Sequence, residues 1–188
     1  MRVIPWVLTV TGAVWTTGNI AVAAAAVAAF HWQRSNPAAI SREGLGGALG
    51  AGFGLWSSLV SVPLFVAMVS LGWMAGTAWR TAKRARAAWL VAAMVVMWGV
   101  HSVSHQTVVE ANQLAAGIRE LRGASTTGSD SPGVNTPLAN LEQRFAVQHQ
   151  ASEQWHGIET VLSLALLIGG SIAVLRRRAP SSAVSTSA

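Results

Sequence analysis

Residues 157–175 read GIETVLSLALLIGGSIAVL, and three arginines follow them at 176–178. Glu159 is the single charged residue in this stretch, which is apolar on every face rather than alternating in polarity. A helix needs roughly 20 mostly apolar residues to cross a bilayer, whereas a membrane strand alternates. The stretch therefore predicts a transmembrane helix that ends at a basic cluster.

Three other stretches have the same character, and they cover residues 3–30, 55–78 and 87–109. Of the 188 residues in the chain, 52% are hydrophobic and 11% are charged, whereas soluble domains carry about 25% charged residues. We therefore expect an all-α fold, an integral membrane four-helix bundle that forms a single domain over residues 1–178. The polar tail at 179–188 is expected to be disordered.

The third and fourth helices are expected to extend beyond their apolar stretches. Apolar residues at helical spacing continue after the third stretch as far as Gly123, which predicts a helix over 87–121. Thr136 is suited to an N-cap and Pro137 to a first helical position, so the fourth helix is predicted over 137–175. A flexible loop rich in Ser, Thr and Gly would connect the two helices.

Basic residues are distributed unevenly between the two ends of the predicted bundle. One end carries eight of the thirteen lysines and arginines and no carboxylate: Arg2, Arg80, Lys83, Arg84, Arg86, Arg176, Arg177 and Arg178. Basic residues flank the cytoplasmic ends of spanning helices. We therefore predict a multi-pass protein of the cell membrane, as in a bacterial inner membrane, with both termini cytoplasmic and the extended helices on the outer side. The basic clusters are expected to face anionic lipid, and nucleic acid is not expected as a partner.

The first apolar stretch also has features of a secretory signal. Arg2 precedes an apolar run that ends in Ala-rich sequence, as a cleavable signal does. The run is much longer than the apolar core of a signal, which has about 7–15 residues. A retained transmembrane helix is therefore the preferred interpretation.

Cysteine and tyrosine are absent from the chain, whereas tryptophan occurs nine times. The absence of cysteine excludes disulfides, thiolate metal sites and cysteine nucleophiles. The sequence has no glycine-rich phosphate loop and no serine-nucleophile motif, so it gives no support to the chemistry of soluble enzymes, and a non-catalytic role is preferred. Several tryptophans lie near predicted helix ends, where an indole ring is well placed at the level of the lipid headgroups.

Glycines precede the second apolar stretch at a spacing of four, at Gly46, Gly50 and Gly54. In lipid, small residues at this spacing allow two helix backbones to approach closely. We therefore expect these glycines to lie at a helix-packing surface. Such a surface is also compatible with packing against the subunits of a larger membrane complex.

All five histidines fall on the predicted outer side of the membrane. His101 and His105 are four residues apart and share a helix face, and His149, Glu153 and His156 share another. Imidazole and carboxylate groups at this spacing bind transition metals, and two facing histidines ligate haem iron. These five residues are therefore the candidate metal or haem site, and the alternative is that they form hydrogen bonds only. Glu159, inside the last apolar stretch, is expected to pair with His101 or His105.

Phe145, His149 and Ser152 form the pattern Phe-x-x-x-His-x-x-Ser just before the fourth apolar stretch. This pattern, which follows LEQR at 141–144, resembles the transmembrane-protein-205-like family. Members of that family carry it at the entry to the last helix of a four-helix membrane protein. The resemblance covers most of the chain in layout and about a dozen residues in detail.

The chain departs from the family pattern at two places. It has His156 where the family usually has Asn, and Ala111 and Asn112 where the family tends to have Pro-Arg near the end of the third helix. Roles that depend on those residues are not carried over. The resemblance implies a four-helix membrane layout and some form of metal handling, because eukaryotic members are associated with resistance to metal-containing drugs.

Three functional hypotheses follow from these observations. The first is a non-catalytic membrane protein that handles a ligand or metal at the His/Glu cluster on the outer side. The second is an accessory or structural subunit of a larger membrane complex. The third is a membrane oxidoreductase that depends on haem or copper. Lipid is the one partner that all three hypotheses share.

Overall fold

The computed structural model describes residues 3–126 and 132–178, which form four helices and no strand. Their bounds are α1 Ile4–Ser35, α2 Arg42–Arg80, α3 Arg84–Thr126 and α4 Pro132–Arg178. All four are long and apolar enough to cross a membrane. The all-α, four-helix prediction is confirmed. The predicted tail at 179–188 lies outside the described residues, and so do residues 127–131 of the predicted loop between α3 and α4. The other residues of that loop are helical, because α3 continues to Thr126 and α4 begins at Pro132.

Four helix ends lie five or more residues beyond the predicted ones, and α1 continues from the predicted end at residue 30 to Ser35. The glycine-rich residues at 44–54 belong to α2, which begins after Ser41, whose hydroxyl accepts a hydrogen bond from the Gly44 N–H at 3.0 Å. Helix α3 passes Gly123, and α4 begins four residues before Thr136. Glycine costs a helix about 1 kcal/mol relative to alanine, and packing against neighbouring helices offsets this cost in α2.

The four helices form a square bundle in which each helix contacts the next one along the chain and α1 contacts α4. Among the described residues, no Cα atom of α1 comes within 8 Å of α3, nor does any of α2 come within 8 Å of α4. Residues 36–41 and 81–83 make the first two connections. Such short connections between long helices make neighbouring helices antiparallel.

The connection between α2 and α3 is a Schellman turn built on an alanine. The Lys83 N–H donates to the Ala78 carbonyl at 2.9 Å, and the Ala82 N–H donates to the Trp79 carbonyl at 3.1 Å. Ala82 has a φ of 58°, in the left-handed region where this motif usually has glycine. The two hydrogen bonds satisfy carbonyls at the end of α2 and reverse the chain within three residues.

Two glycines outside the predicted packing surface allow the closest contact between helix backbones. A Cβ atom on Gly12 would lie 2.6 Å from the backbone nitrogen of Leu167, and one on Gly170 would lie 2.8 Å from that of Thr9. Helices α1 and α4 therefore touch through their main chains. Below this contact, the fully buried indole of Trp15 packs with Leu64 in the core.

Substitution of Gly12 by alanine should destabilise the bundle by about 1–3 kcal/mol, because the new methyl group meets backbone atoms that cannot rotate away. Gly76→Ala is the matched control, since a Cβ at this exposed helical position meets no atom within 4 Å. Thermal unfolding followed by tryptophan fluorescence in detergent measures both variants. Equal melting temperatures for Gly12→Ala and the native protein would show that α1 and α4 are not in backbone contact.

Candidate functional site

The structure divides the five predicted ligand residues between two places. His101 and His105 lie in the interface between α2 and α3, whereas His149, Glu153 and His156 line a cavity inside the bundle. Within residues 3–126 and 132–178, no three His, Asp or Glu side chains are grouped closely enough to hold a metal ion. Metal or haem binding at these residues stays a prediction, and a single site made by all five has no support in this arrangement.

Glu159 is buried between α3 and α4 and accepts two hydrogen bonds from α3. Its Oε1 atom lies 2.8 Å from Nδ1 of His101, and its Oε2 atom accepts a hydrogen bond of 2.9 Å from the Ser104 hydroxyl. Glu159 is 4% exposed and His101 is 5% exposed. The predicted pairing of Glu159 with a histidine of the third helix is confirmed, and its partner is His101.

His101 also contacts α2 through its second ring nitrogen. Nε2 of His101 lies 3.1 Å from the hydroxyl oxygen of Ser61. One helical turn away, Nδ1 of His105 lies 2.9 Å from the hydroxyl oxygen of Ser57, and the two imidazole rings stack with centroids 6.2 Å apart. The α2–α3 interface therefore contains two Ser–His pairs, one helical turn apart. The two serines are four residues apart on α2, and the two histidines are four residues apart on α3.

A second polar cluster connects α1, α2 and α4. Asn19 accepts a hydrogen bond of 2.7 Å from Nε1 of Trp56 and donates one of 3.2 Å to the Thr160 hydroxyl. Three residues earlier on α1, the Thr16 hydroxyl donates to the Ser163 hydroxyl at 2.9 Å. These residues were not among the predicted site residues, although polar side chains inside an apolar stretch indicate an interhelical contact.

A cavity of about 940 Å³ lies between the four helices, next to this second cluster. It extends from Asn19 and Thr160 at one end to Arg122 and Glu142 at the other. On α4 these limits are 18 residues apart, which corresponds to roughly 27 Å of helix. Most of the wall is apolar, and much of it consists of small residues: Ala23, Ala26, Gly46, Gly47, Gly50, Ala111 and Ala115.

Some polar groups around the cavity have a hydrogen-bond or ion-pair partner, and others have none among the described residues. Nε2 of His156 is buried and has no hydrogen-bond partner among the described residues, and the His156 ring meets the ring of Phe53 edge-on at 5.9 Å. At the charged end, Arg122 and Glu142 form an ion pair at 2.6 Å. The guanidinium of Arg119 rests against Gly47 of α2 and pairs with no carboxylate in the described part of the chain.

The three residues that carried the family resemblance all line this cavity. The rings of Phe145 and His149 stack with centroids 5.4 Å apart, and the Ser152 hydroxyl donates to the His149 carbonyl at 2.7 Å. His149 also contacts Glu153 at 3.3 Å in an exposed pair.

Comparisons with protein-family models, curated proteins and solved structures found no match for this chain.

The predicted packing glycines meet different surroundings. Gly50 and Gly54 lie against the side-chain amide of Asn112 on α3, and Asn112 donates a hydrogen bond of 3.0 Å to the Gly50 carbonyl. A Cβ on Gly46 would meet no atom within 4 Å, because Gly46 borders the open cavity. Two of these glycines therefore admit a polar side chain from α3, and the third widens the cavity.

Replacement of Glu159 by alanine should destabilise the protein by about 1–3 kcal/mol, because the buried donors on His101 and Ser104 lose their acceptor. The control is Glu153→Ala, whose side chain is 68% exposed; it should change stability by less than about 0.5 kcal/mol. Unfolding in mixed micelles with increasing denaturing detergent provides the comparison. Equal loss of stability in the two variants would contradict a buried Glu159.

Proposed function

We propose that this chain is a multi-pass membrane protein that binds one anionic amphiphile in the cavity between its helices. The apolar part of the ligand lies along the small-residue walls, and its headgroup lies at the end that carries Arg119. The proposal rests on one observation, an elongated apolar cavity of about 940 Å³ whose charged end carries Arg119, an arginine with no carboxylate partner among the described residues. The proposal gives a chemical class to the ligand that the first functional hypothesis left unnamed.

The size and lining of the cavity favour a lipid-like molecule. Ligand pockets usually have volumes of about 300–1,000 Å³ and mostly apolar walls with a few polar groups, and this cavity lies near the upper limit. Small residues widen the space between helices that are joined elsewhere by direct contact. The length of roughly 27 Å along α4 suits an extended hydrocarbon chain better than a compact ligand.

The polar groups around the cavity favour an anionic headgroup. Arg122 is engaged by Glu142, whereas Arg119 has no carboxylate partner in the described residues. A guanidinium binds a carboxylate or phosphate through paired hydrogen bonds. Deeper in the cavity, Nε2 of His156 offers a hydrogen bond to a carbonyl or hydroxyl group of the ligand.

The charged end of the cavity is proposed to lie on the outer side of the cytoplasmic membrane, with both termini in the cytoplasm. The basic cluster of the α2–α3 connection supports this orientation, because such clusters stay cytoplasmic. The lengths of α3 and α4, 43 and 47 residues, correspond to about 65 and 70 Å. A hydrocarbon core of about 30 Å leaves the polar parts of both helices in water beyond it.

Filling the cavity should displace its ligand. Ala26→Trp places an indole ring inside the cavity wall, so lipid that co-purifies in gentle detergent should fall at least tenfold in native mass spectra. Ala24→Trp is the control, because Ala24 is exposed on the same helix and does not line the cavity. Equal lipid in the two variants would overturn the proposed cavity ligand.

Arg119→Gln tests the charge of the headgroup separately. Binding of a fluorescent fatty acid should weaken roughly tenfold, because one charge-assisted hydrogen bond is worth about 1.5–3 kcal/mol. Binding of the corresponding uncharged fatty alcohol should change little. If acid and alcohol weaken equally, Arg119 acts on the shape of the cavity and not on the charge of the ligand.

The orientation has its own test, which the absence of native cysteine makes simple. Cysteines introduced singly at Ala82 and Ser129 should respond oppositely to a membrane-impermeant thiol reagent in intact cells, with Ser129→Cys labelled and Ala82→Cys protected. Permeabilised cells provide the control, in which both positions react. Labelling at Ala82 alone in intact cells would reverse the proposed topology.

The other two functional hypotheses stay predictions. Metal analysis and an optical spectrum of the purified protein test whether any of the predicted histidines binds haem or copper. Co-purification with other membrane proteins in gentle detergent tests membership of a larger complex. Gly52 and Gly76 of α2 are exposed, and a Cβ atom at either position would meet no atom within 4 Å.

A further inference from the structure

Ser61, His101 and Glu159 come from three different helices and form a connected series of hydrogen bonds. Ser61 Oγ lies 3.1 Å from Nε2 of His101, and Nδ1 of His101 lies 2.8 Å from Oε1 of Glu159. This is the order serine, histidine and acid, with contact distances that suit nucleophilic catalysis. We propose that Ser61 is an activated nucleophile that accepts the acyl group of a lipid-soluble ester.

Exposure to the surroundings increases along the series from the acid to the serine, as a nucleophilic site requires. Glu159 and His101 are almost fully buried, whereas Ser61 is exposed on the outside of the bundle. The acid and the base are therefore shielded and held in place, and the hydroxyl is open to a reactant.

Glu159 is a positioning residue that sets the tautomer of His101. Its Oε2 atom is occupied by the Ser104 hydroxyl, which leaves Oε1 as the acceptor for the His101 ring. With the proton on Nδ1 donated to Glu159, Nε2 of His101 carries a lone pair directed at the Ser61 hydroxyl. The same carboxylate stabilises the positive ring that forms when His101 accepts a proton.

The surface around Ser61 indicates the class of substrate. Leu59, Val62 and Phe65 are 51%, 64% and 66% exposed, so the hydroxyl opens onto an apolar surface of a helix long and apolar enough to span the membrane. A reactant that reaches Ser61 comes laterally from the lipid phase. An acyl ester with hydrocarbon chains fits this approach, whereas a polar ester dissolved in water does not.

The proposed step is an acyl transfer. Ser61 Oγ adds to the ester carbonyl carbon while its proton passes to Nε2 of His101. The bond from that carbon to the alcohol oxygen then breaks, and the alcohol leaves with the proton from His101. The products are acyl-Ser61 and a free alcohol, and water removes the acyl group by the same steps.

This inference does not depend on the proposed cavity ligand. Ser61, His101 and Glu159 are absent from the lining of the cavity, and Arg119 and Ala26 are absent from the triad. The variants that empty the cavity should therefore leave the reactivity of Ser61 unchanged. Each proposal fails or survives on its own experiment.

The test uses the full-length protein in lipid nanodiscs and a fluorophosphonate probe with a long alkyl chain, which forms a stable adduct with activated serines. Peptide mass spectrometry should locate the adduct at Ser61. Ser61→Ala should abolish it, and Ser58→Ala should retain it, because Ser58 is also exposed but donates to the Gly54 carbonyl. Folded native protein without an adduct, or equal labelling of Ser61→Ala, overturns the proposal.

Variants of the acid separate positioning from mere packing. Glu159→Gln should label at least tenfold more slowly, and Glu159→Asp should recover part of the rate because it restores a carboxylate. Rates are compared with melting temperatures measured on the same samples. If the labelling rate of these variants follows stability alone, with no recovery by aspartate, Glu159 has no role in activating Ser61 and the proposed triad is wrong.

Discussion

The carboxylate of Glu159 lies inside residues 157–175 of α4, a stretch with no other charged residue, and a buried carboxylate is costly unless it is hydrogen-bonded. His101 and Ser104 supply those hydrogen bonds from one face of α3. This requirement fixes the rotation of α3 about its own axis. The same rotation directs the second nitrogen of His101 toward Ser61 of α2, so one buried charge orders three helices.

The next residue, Thr160, points about 100° away from Glu159 and binds Asn19 of α1. Two adjacent residues of α4 therefore contact its two neighbouring helices, Glu159 with α3 and Thr160 with α1.

The two polar clusters and the cavity divide the bundle into parts with different properties. Where Trp15 and Leu64 pack, the helices are in direct contact and the side chains are fully buried. Toward the charged end, alanines and glycines from three helices face each other across open space. Apolar residues pack equally well against lipid or against other helices, so packing alone does not select one neighbour over another. The polar contacts provide that selection, and the small residues determine how much volume remains between the helices.

The fold was largely predictable from the sequence, because uncharged stretches of membrane-spanning length are a strong signal. The pairing of Glu159 with His101 was also predictable, since few other partners exist at that depth. Helix ends were harder to predict: α2 begins at Arg42 although glycine weakens helices, because contact with Asn112 outweighs that preference. The cavity and the Ser61–His101 contact depend on the rotation of separate helices, which no local pattern encodes. For the same reason the backbone contact between α1 and α4 at Gly12 and Gly170 was not predicted, whereas the glycines of α2 were expected to pack.

The Schellman turn at Ala82 has a consequence far from its position. In an antiparallel helix pair with serines four apart on one helix and histidines four apart on the other, sliding by one turn would form one new Ser–His pair and leave the other serine and histidine without each other. His101 would then face Ser57, and the sequence spacing alone does not forbid this register. The turn forbids it, because a slide would break both hydrogen bonds that close α2 onto Lys83 and Ala82. The three-residue connection therefore fixes the register of α2 against α3. That register determines which histidine each serine contacts, about 20 residues away from the turn on both helices.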